Sequence, residues 1–138
     1  MTLSNVPLTD SDGATGSKNG RGIRVLLAED DRAVRRLLQV VLERAGYEVI
    51  PAADGLEAMK LALSSPINIL ITDAMMPNLN GHELCRFMRN SETLSHVPII
   101  LLSGLEKQVS DRQADAFLTK PVSSEILIEC IEKLLAGR

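Results

Sequence analysis

The sequence predicts one α/β domain built on a parallel sheet, and three observations carry that reading. From Ile23 onward, short apolar runs rich in β-branched residues alternate with segments of helical periodicity, the pattern of a parallel sheet with right-handed crossovers. Three of these runs, Ile23–Ala28, Ile67–Thr72 and Ala116–Thr119, read as strands buried on both faces. Each stops abruptly in charge: Glu29-Asp30-Asp31 after the first, Asp73 after the second and Lys120-Pro121 after the third.

The elements follow in order. Residues 1–22 are rich in Ser, Thr, Asn, Asp and Gly without apolar periodicity, and are expected to form a flexible tail ahead of a domain spanning 23–138. After the first strand, Val34, Leu37, Leu38, Val41, Leu42 and Ala45 repeat at helical spacing, with Asp31 placed to cap the start and Gly46 to stop the end. Tyr47–Ile50 is a short second strand. Asp54 with Glu57 opens a helix by an aspartate version of the capping box, with Ala58, Met59, Ala62 and Leu63 on its buried side. Strand three is 67–72. Asn80 with Glu83 caps a helix whose inner face carries Leu84, Phe87 and Met88. Strand four, 98–102, ends at Ser103-Gly104, and strand five is 116–119. Ser123 or Ser124 caps a last helix presenting Ile126, Leu127, Cys130, Ile131 and Leu134. Between strands four and five only 109–114 is a helical candidate, and it is short and polar, so this crossover helix is expected to be shortened or irregular.

Composition narrows the function. With 138 residues, 45% hydrophobic and 24% charged, the chain can bury a sizeable core as one soluble domain. Tyr47, Phe87 and Phe117 are its only aromatics, so the core must be aliphatic. A net charge of −3 gives no electrostatic case for nucleic acid or an anionic membrane. No apolar stretch approaches the ~20 residues that span a bilayer, and Cys85 and Cys130 lack metal or redox spacing, which together suggest a cytoplasmic protein with reduced thiols. His82 and His96 have no metal-ligand spacing and are expected at the surface.

In open α/β sheets the ligand site lies beyond the carboxyl ends of the strands. Glu29, Asp30, Asp73 and Lys120 would meet there, three carboxylates and one amine at one edge. Close carboxylate pairs repel by up to ~4 kcal/mol at an effective dielectric of 20, so the group calls for a divalent cation. That points to magnesium built around an aspartate, and to phosphoryl chemistry. Neither GxxxxGK[ST] nor GxGxxG is present, which leaves a nucleotide-binding fold unsupported.

With these residues assembled, the chain resembles the receiver domains of two-component response regulators. The resemblance covers residues 23–135 and rests on Glu29-Asp30, on Asp73 in Ile71-Thr72-Asp73-Ala74-Met75-Met76-Pro77 with Gly81 beyond, on Ser103-Gly104 and on Lys120-Pro121. It implies a flavodoxin-like, doubly wound five-stranded parallel sheet of order 2-1-3-4-5. It also implies that Asp73 is the phosphoacceptor, a carboxylate nucleophile that forms an acyl phosphate. Asp30 would bind Mg2+ (or Mn2+) directly and Glu29 through water, with Asp73 and the Met75 backbone carbonyl completing the set. Lys120 would neutralise the phosphoryl group, Ser103 and the Gly104 amide would donate to its oxygens, and Pro121 would follow a cis peptide. Ser103 and Phe117 would form the switch, with Phe117 in place of the family's usual tyrosine. Met75 and Leu105 would border the water that removes the phosphoryl group.

The implied partner is a sensor histidine kinase or histidine phosphotransfer protein, with no direct nucleic-acid or membrane contact, the downstream effector unspecified and a homodimer left open. Such a domain catalyses only its own phosphorylation and dephosphorylation. Two alternatives remain at this level. One is a pseudo-receiver whose output does not depend on phosphorylation. The other is an aspartate-based phosphatase, disfavoured because Met75 stands where such enzymes usually carry a second Asp.

Overall fold

The computed structural model describes residues 22–104 and 113–137. The expected tail, apart from Gly22, and the 109–114 segment, apart from its last two residues, lie outside them, as does Leu105. In chain order the elements are β1 (Arg24–Ala28), α1 (Arg32–Arg44), β2 (Glu48–Ala52), α2 (Gly55–Ser64), β3 (Ile69–Asp73), α3 (Gly81–Asn90), β4 (Ile99–Ser103), β5 (Ala116–Thr119) and α4 (Ser124–Ala136). All neighbouring strands pair in parallel, in the order β2-β1-β3-β4-β5. This is the doubly wound, flavodoxin-like arrangement.

Strand periodicity divides the core into two layers. Leu26, Leu70, Ile99 and Leu101 face one side and pack with Leu84 and Met88 of α3 and Ala58 and Ala62 of α2. Val25, Leu27, Ile69, Ile71, Ile100 and Leu102 face the other, against Leu38 and Leu42 of α1 and Leu127 and Ile131 of α4. β3 and β4 are buried along their whole length. β5 is not: it pairs on one side only, its residues alternate between half-buried and exposed, and Phe117 is 39% exposed. The expectation of burial on both faces holds for central strands and fails at this edge.

Local signals set most helix ends. Asp31 accepts from the Val34 amide at 3.0 Å. At the other end of α1, Gly46 adopts φ 98°, while its amide donates to Glu43 and that of Tyr47 to Leu42. That pair of bonds is a Schellman stop. Asn80 and Glu83 form a reciprocal capping box, and Ser123 rather than Ser124 caps α4. At α2, Asp54 accepts from the Glu57 amide as expected, but the Glu57 carboxylate reaches one residue further back, to the Ala53 amide at 2.7 Å.

Some details differ from the sequence reading. β2 runs two residues past Ile50, through Pro51 opposite Leu27; an edge strand tolerates proline because one side of it needs no ladder bonds. Leu63 is 62% exposed, because buried Gly55, Ala58 and Ala62 set the centre of the inner face of α2, and Leu63 lies a further ~100° round the helix from Ala62. Leu37 and Ile126 are likewise exposed beside their buried neighbours Leu38 and Leu127. Cys85 is buried and Cys130 half-buried, both as free thiols.

Candidate functional site

Because every strand runs the same way, the C-terminal ends of β1, β3, β4 and β5 and the residues just beyond them share one edge. Glu29 is fully buried there, Asp73 is 6% exposed, and Asp30 lies at the surface. Carboxylate oxygens of the three lie within 4.8 Å of one another. Lys120 Nζ reaches in from the end of β5 and donates to Glu29 Oε1 at 3.0 Å and to Asp73 Oδ2 at 3.2 Å. Asp73, Met75, Gly104 and Lys120 line a cleft of about 410 Å³.

The burial of Glu29 carries an electrostatic cost. Desolvation pushes its carboxyl above the ordinary glutamate range and the Asp73 carboxylate adds to that push, while the Asp31 amide, donating to Oε2 at 3.1 Å, and Lys120 oppose it. Burial alone would lower Lys120, but its hydrogen bonds and charge pairing with Glu29 and Asp73 outweigh this and raise it. The ammonium is therefore protonated at neutral pH and serves as an internal counter-ion to two carboxylates.

The backbone around the site is held closely. The Glu29 amide donates to the Ala52 carbonyl, and Arg35 on α1 donates to the Glu29 carbonyl at 2.8 Å. A Cβ on Gly81 would lie 2.2 Å from the Asp73 carbonyl oxygen, so the start of α3 approaches the end of β3 only as glycine. Ser103 Oγ is buried and has no hydrogen-bond partner among the described residues. Lys120–Pro121 is a cis peptide. Phe117, on the outer strand, is exposed.

The donor set fits a hard divalent cation. Three carboxylates converge, and an oxygen-only set with few protein ligands is what Mg2+ accepts. Two features escaped the sequence reading: Arg35, whose role depends on a contact six residues back along the chain, and Asn78, whose backbone is left-handed at φ 71°. A polar residue next to Pro77 was the only signal for the second.

Comparison with known proteins decides the family. The model of the response regulator receiver domain matches residues 25–132. The chain belongs to the response regulator receiver domain family. This receiver domain is 34% identical over 116 residues to protein PilG of Pseudomonas aeruginosa, covering 80% of this chain and 86% of PilG. It is 32% identical to the DNA-binding dual master transcriptional regulator RpaA of Synechocystis, but spans only 48% of that protein. It covers about half the length of the other curated transcriptional regulators it matches, 43% in the case of PhoP of Bacillus subtilis. Among solved structures, the chemotaxis response regulator CheY4 of Vibrio cholerae superposes with a TM-score of 0.74 at 30% identity, covering 81% of this chain and 98% of CheY4. The response regulator TrrA of Thermotoga maritima, solved in complex with Mg(2+)-BeF, gives 0.74 at 31% identity, with the same 81% and 98% coverage. Receiver domains bind Mg2+ at an acidic pocket and accept phosphoryl groups from histidine kinases. No helix among the described residues is long and apolar enough to cross a membrane.

Proposed function

We propose that this receiver accepts a phosphoryl group on Asp73 from a phosphohistidine of a sensor kinase or phosphotransfer protein, with Mg2+ (or Mn2+) at Glu29, Asp30, Asp73 and the Met75 carbonyl. The observation that carries the reading is the Lys120 ammonium bridging buried Glu29 and Asp73 beside exposed Asp30.

A carboxylate oxygen of Asp73 attacks the phosphorus, the donor's P–N bond breaks, and imidazole leaves as an acyl phosphate forms. Lys120, already charged and in place, neutralises the incoming oxygens without reorganisation. The Ser103 hydroxyl and the Gly104 amide donate to the same oxygens. Bound magnesium supplies further positive charge to them. Drawing Ser103 inward then changes the packing around β4 and β5, with Phe117 as the ring that responds.

Incubation with a small phosphodonor and magnesium should add one phosphoryl group, and Asp73→Ala should add none. Equal labelling of that variant would overturn the assignment.

A further inference from the structure

The loop between Asp73 and α3 contains a strained turn. The Leu79 amide donates to the Pro77 carbonyl at 2.8 Å, closing a three-residue ring around Asn78 at φ 71°. A γ-turn of positive central φ is rare and costly, and more so at a residue with a Cβ. Such a conformation persists only where surrounding structure over-determines it.

The surrounding structure here is the N-terminus of α2. One Asp54 oxygen, Oδ1, caps the helix through the Glu57 amide at 2.8 Å, while the other, Oδ2, accepts from Asn78 Nδ2 at 2.9 Å. The next residue, Gly55, lies so close to the loop that a Cβ there would sit 1.8 Å from the Leu79 carbonyl oxygen. At its far end the loop closes on itself, with the Gly81 amide donating to the Ala74 carbonyl at 2.9 Å. Met75, whose carbonyl the functional reading gives to the metal, lies between these fixed points.

We propose that Asp54 is a positioning residue for the phosphoacceptor loop: through Asn78 it holds the strained turn and thereby fixes the Met75 carbonyl for the divalent cation. The inference rests on the proposed reading of the Asp73 site. One carboxylate thus serves two elements. It starts α2 with one oxygen and restrains the loop with the other, so disturbance of the α2 N-terminus reaches the metal site without touching a metal ligand.

The two roles separate by substitution. Asp54→Ser keeps a capping oxygen but cannot reach Asn78. Asn78→Gly keeps the left-handed backbone but loses the amide. Magnesium titration calorimetry on the unphosphorylated protein, with amide exchange of Leu79 and Gly81, reads both variants and their combination. Each single variant should weaken magnesium binding by about 3- to 10-fold, the scale of one hydrogen bond, and speed exchange at Leu79. The double variant should be no weaker than the worse single one, because both remove the same bond. Unchanged affinity and exchange in both variants would overturn the proposal, as would fully additive losses. Wild-type protein that takes up no magnesium would overturn the functional reading instead, and amide exchange would then decide whether Asp54 holds the loop.

Discussion

Replacing Arg89 with methionine should destabilise the domain by about 2–4 kcal/mol, although Arg89 is remote from the carboxylates and only its aliphatic stem would be kept. Its guanidinium joins three segments at the opposite end of the sheet. Nε donates to the Gln113 carbonyl at 2.9 Å, Nη1 to the carbonyls of Ser95 at 3.0 Å and Val97 at 2.7 Å, and Nη2 to Asp115 Oδ2 at 2.7 Å. Asp115 in turn accepts from the Ile99 amide at 2.8 Å, so the same cluster fixes the start of β4 and the approach to β5. The Ser95 and Asp115 bonds are exposed; water replaces the first, and an exposed ion pair is worth only ~0.2–1 kcal/mol. The Val97 and Gln113 carbonyls are partly buried, and losing a charge-assisted bond to each sets most of the magnitude, at ~1–2 kcal/mol apiece after discounting for solvent. In a domain of this size the midpoint of thermal unfolding should drop by roughly 10 °C. Urea unfolding of Arg89→Met, Asp115→Asn and the double variant would isolate the pair. Arg89→Lys should recover little, because an ammonium cannot present a planar fork to four acceptors. A loss below about 1 kcal/mol for Arg89→Met would refute the reasoning, since that is an ordinary surface effect.

Other outcomes follow from the same structure. Gly55→Ala should destabilise by about 2–3 kcal/mol, since its Cβ would meet the Leu79 backbone rather than a movable side chain; an unchanged urea midpoint would contradict the close approach. Magnesium affinity should fall as pH is lowered, beginning above the ~4.3 of an ordinary glutamate, because burial raises Glu29 and a proton there competes with the cation; calorimetric affinities flat down to that value would exclude this. In the metal-free protein the sign is opposite: a raised Glu29 favours the fold below the ordinary glutamate range, and that contribution is lost as pH rises through its folded value. Met75 is 64% exposed and cannot orient water by a strong hydrogen bond, so Met75→Asn should speed loss of the phosphoryl group from Asp73, and an unchanged decay of label would remove that role.

The sequence made the sheet legible because each strand announces its own end: apolar residues stop where Glu29, Asp73 and Lys120 begin. Parallel topology then brings those ends together without any long-range information. Helix starts at Asp31, Asn80 and, to within one residue, Ser123 were readable for the same reason, being local hydrogen bonds within four residues. What escaped is non-local or shared. Leu63 matches a helical stripe, and only the packing of Gly55, Ala58 and Ala62 shows that the stripe is centred elsewhere. The outward alternation of β5 depends on its being an edge strand. Glu57 reaches Ala53 rather than Asp54, a displacement no spacing rule contains. Asn78 reads as an ordinary turn residue until Asp54, 24 positions earlier, is found bonded to it.

Ser103 has a consequence beyond its expected contact with phosphate. Among the described residues no acceptor meets the buried Ser103 hydroxyl, and a buried donor left unmet costs ~1–3 kcal/mol. Among the described residues Ser103 Oγ is the one buried side-chain polar atom without a partner, and the next residue, Gly104, lines the cleft. Any ligand that brings an oxygen to that atom recovers the penalty as binding free energy, before counting attraction to Lys120. Ser103→Ala, by removing the unmet donor, should stabilise the resting protein while making it less responsive.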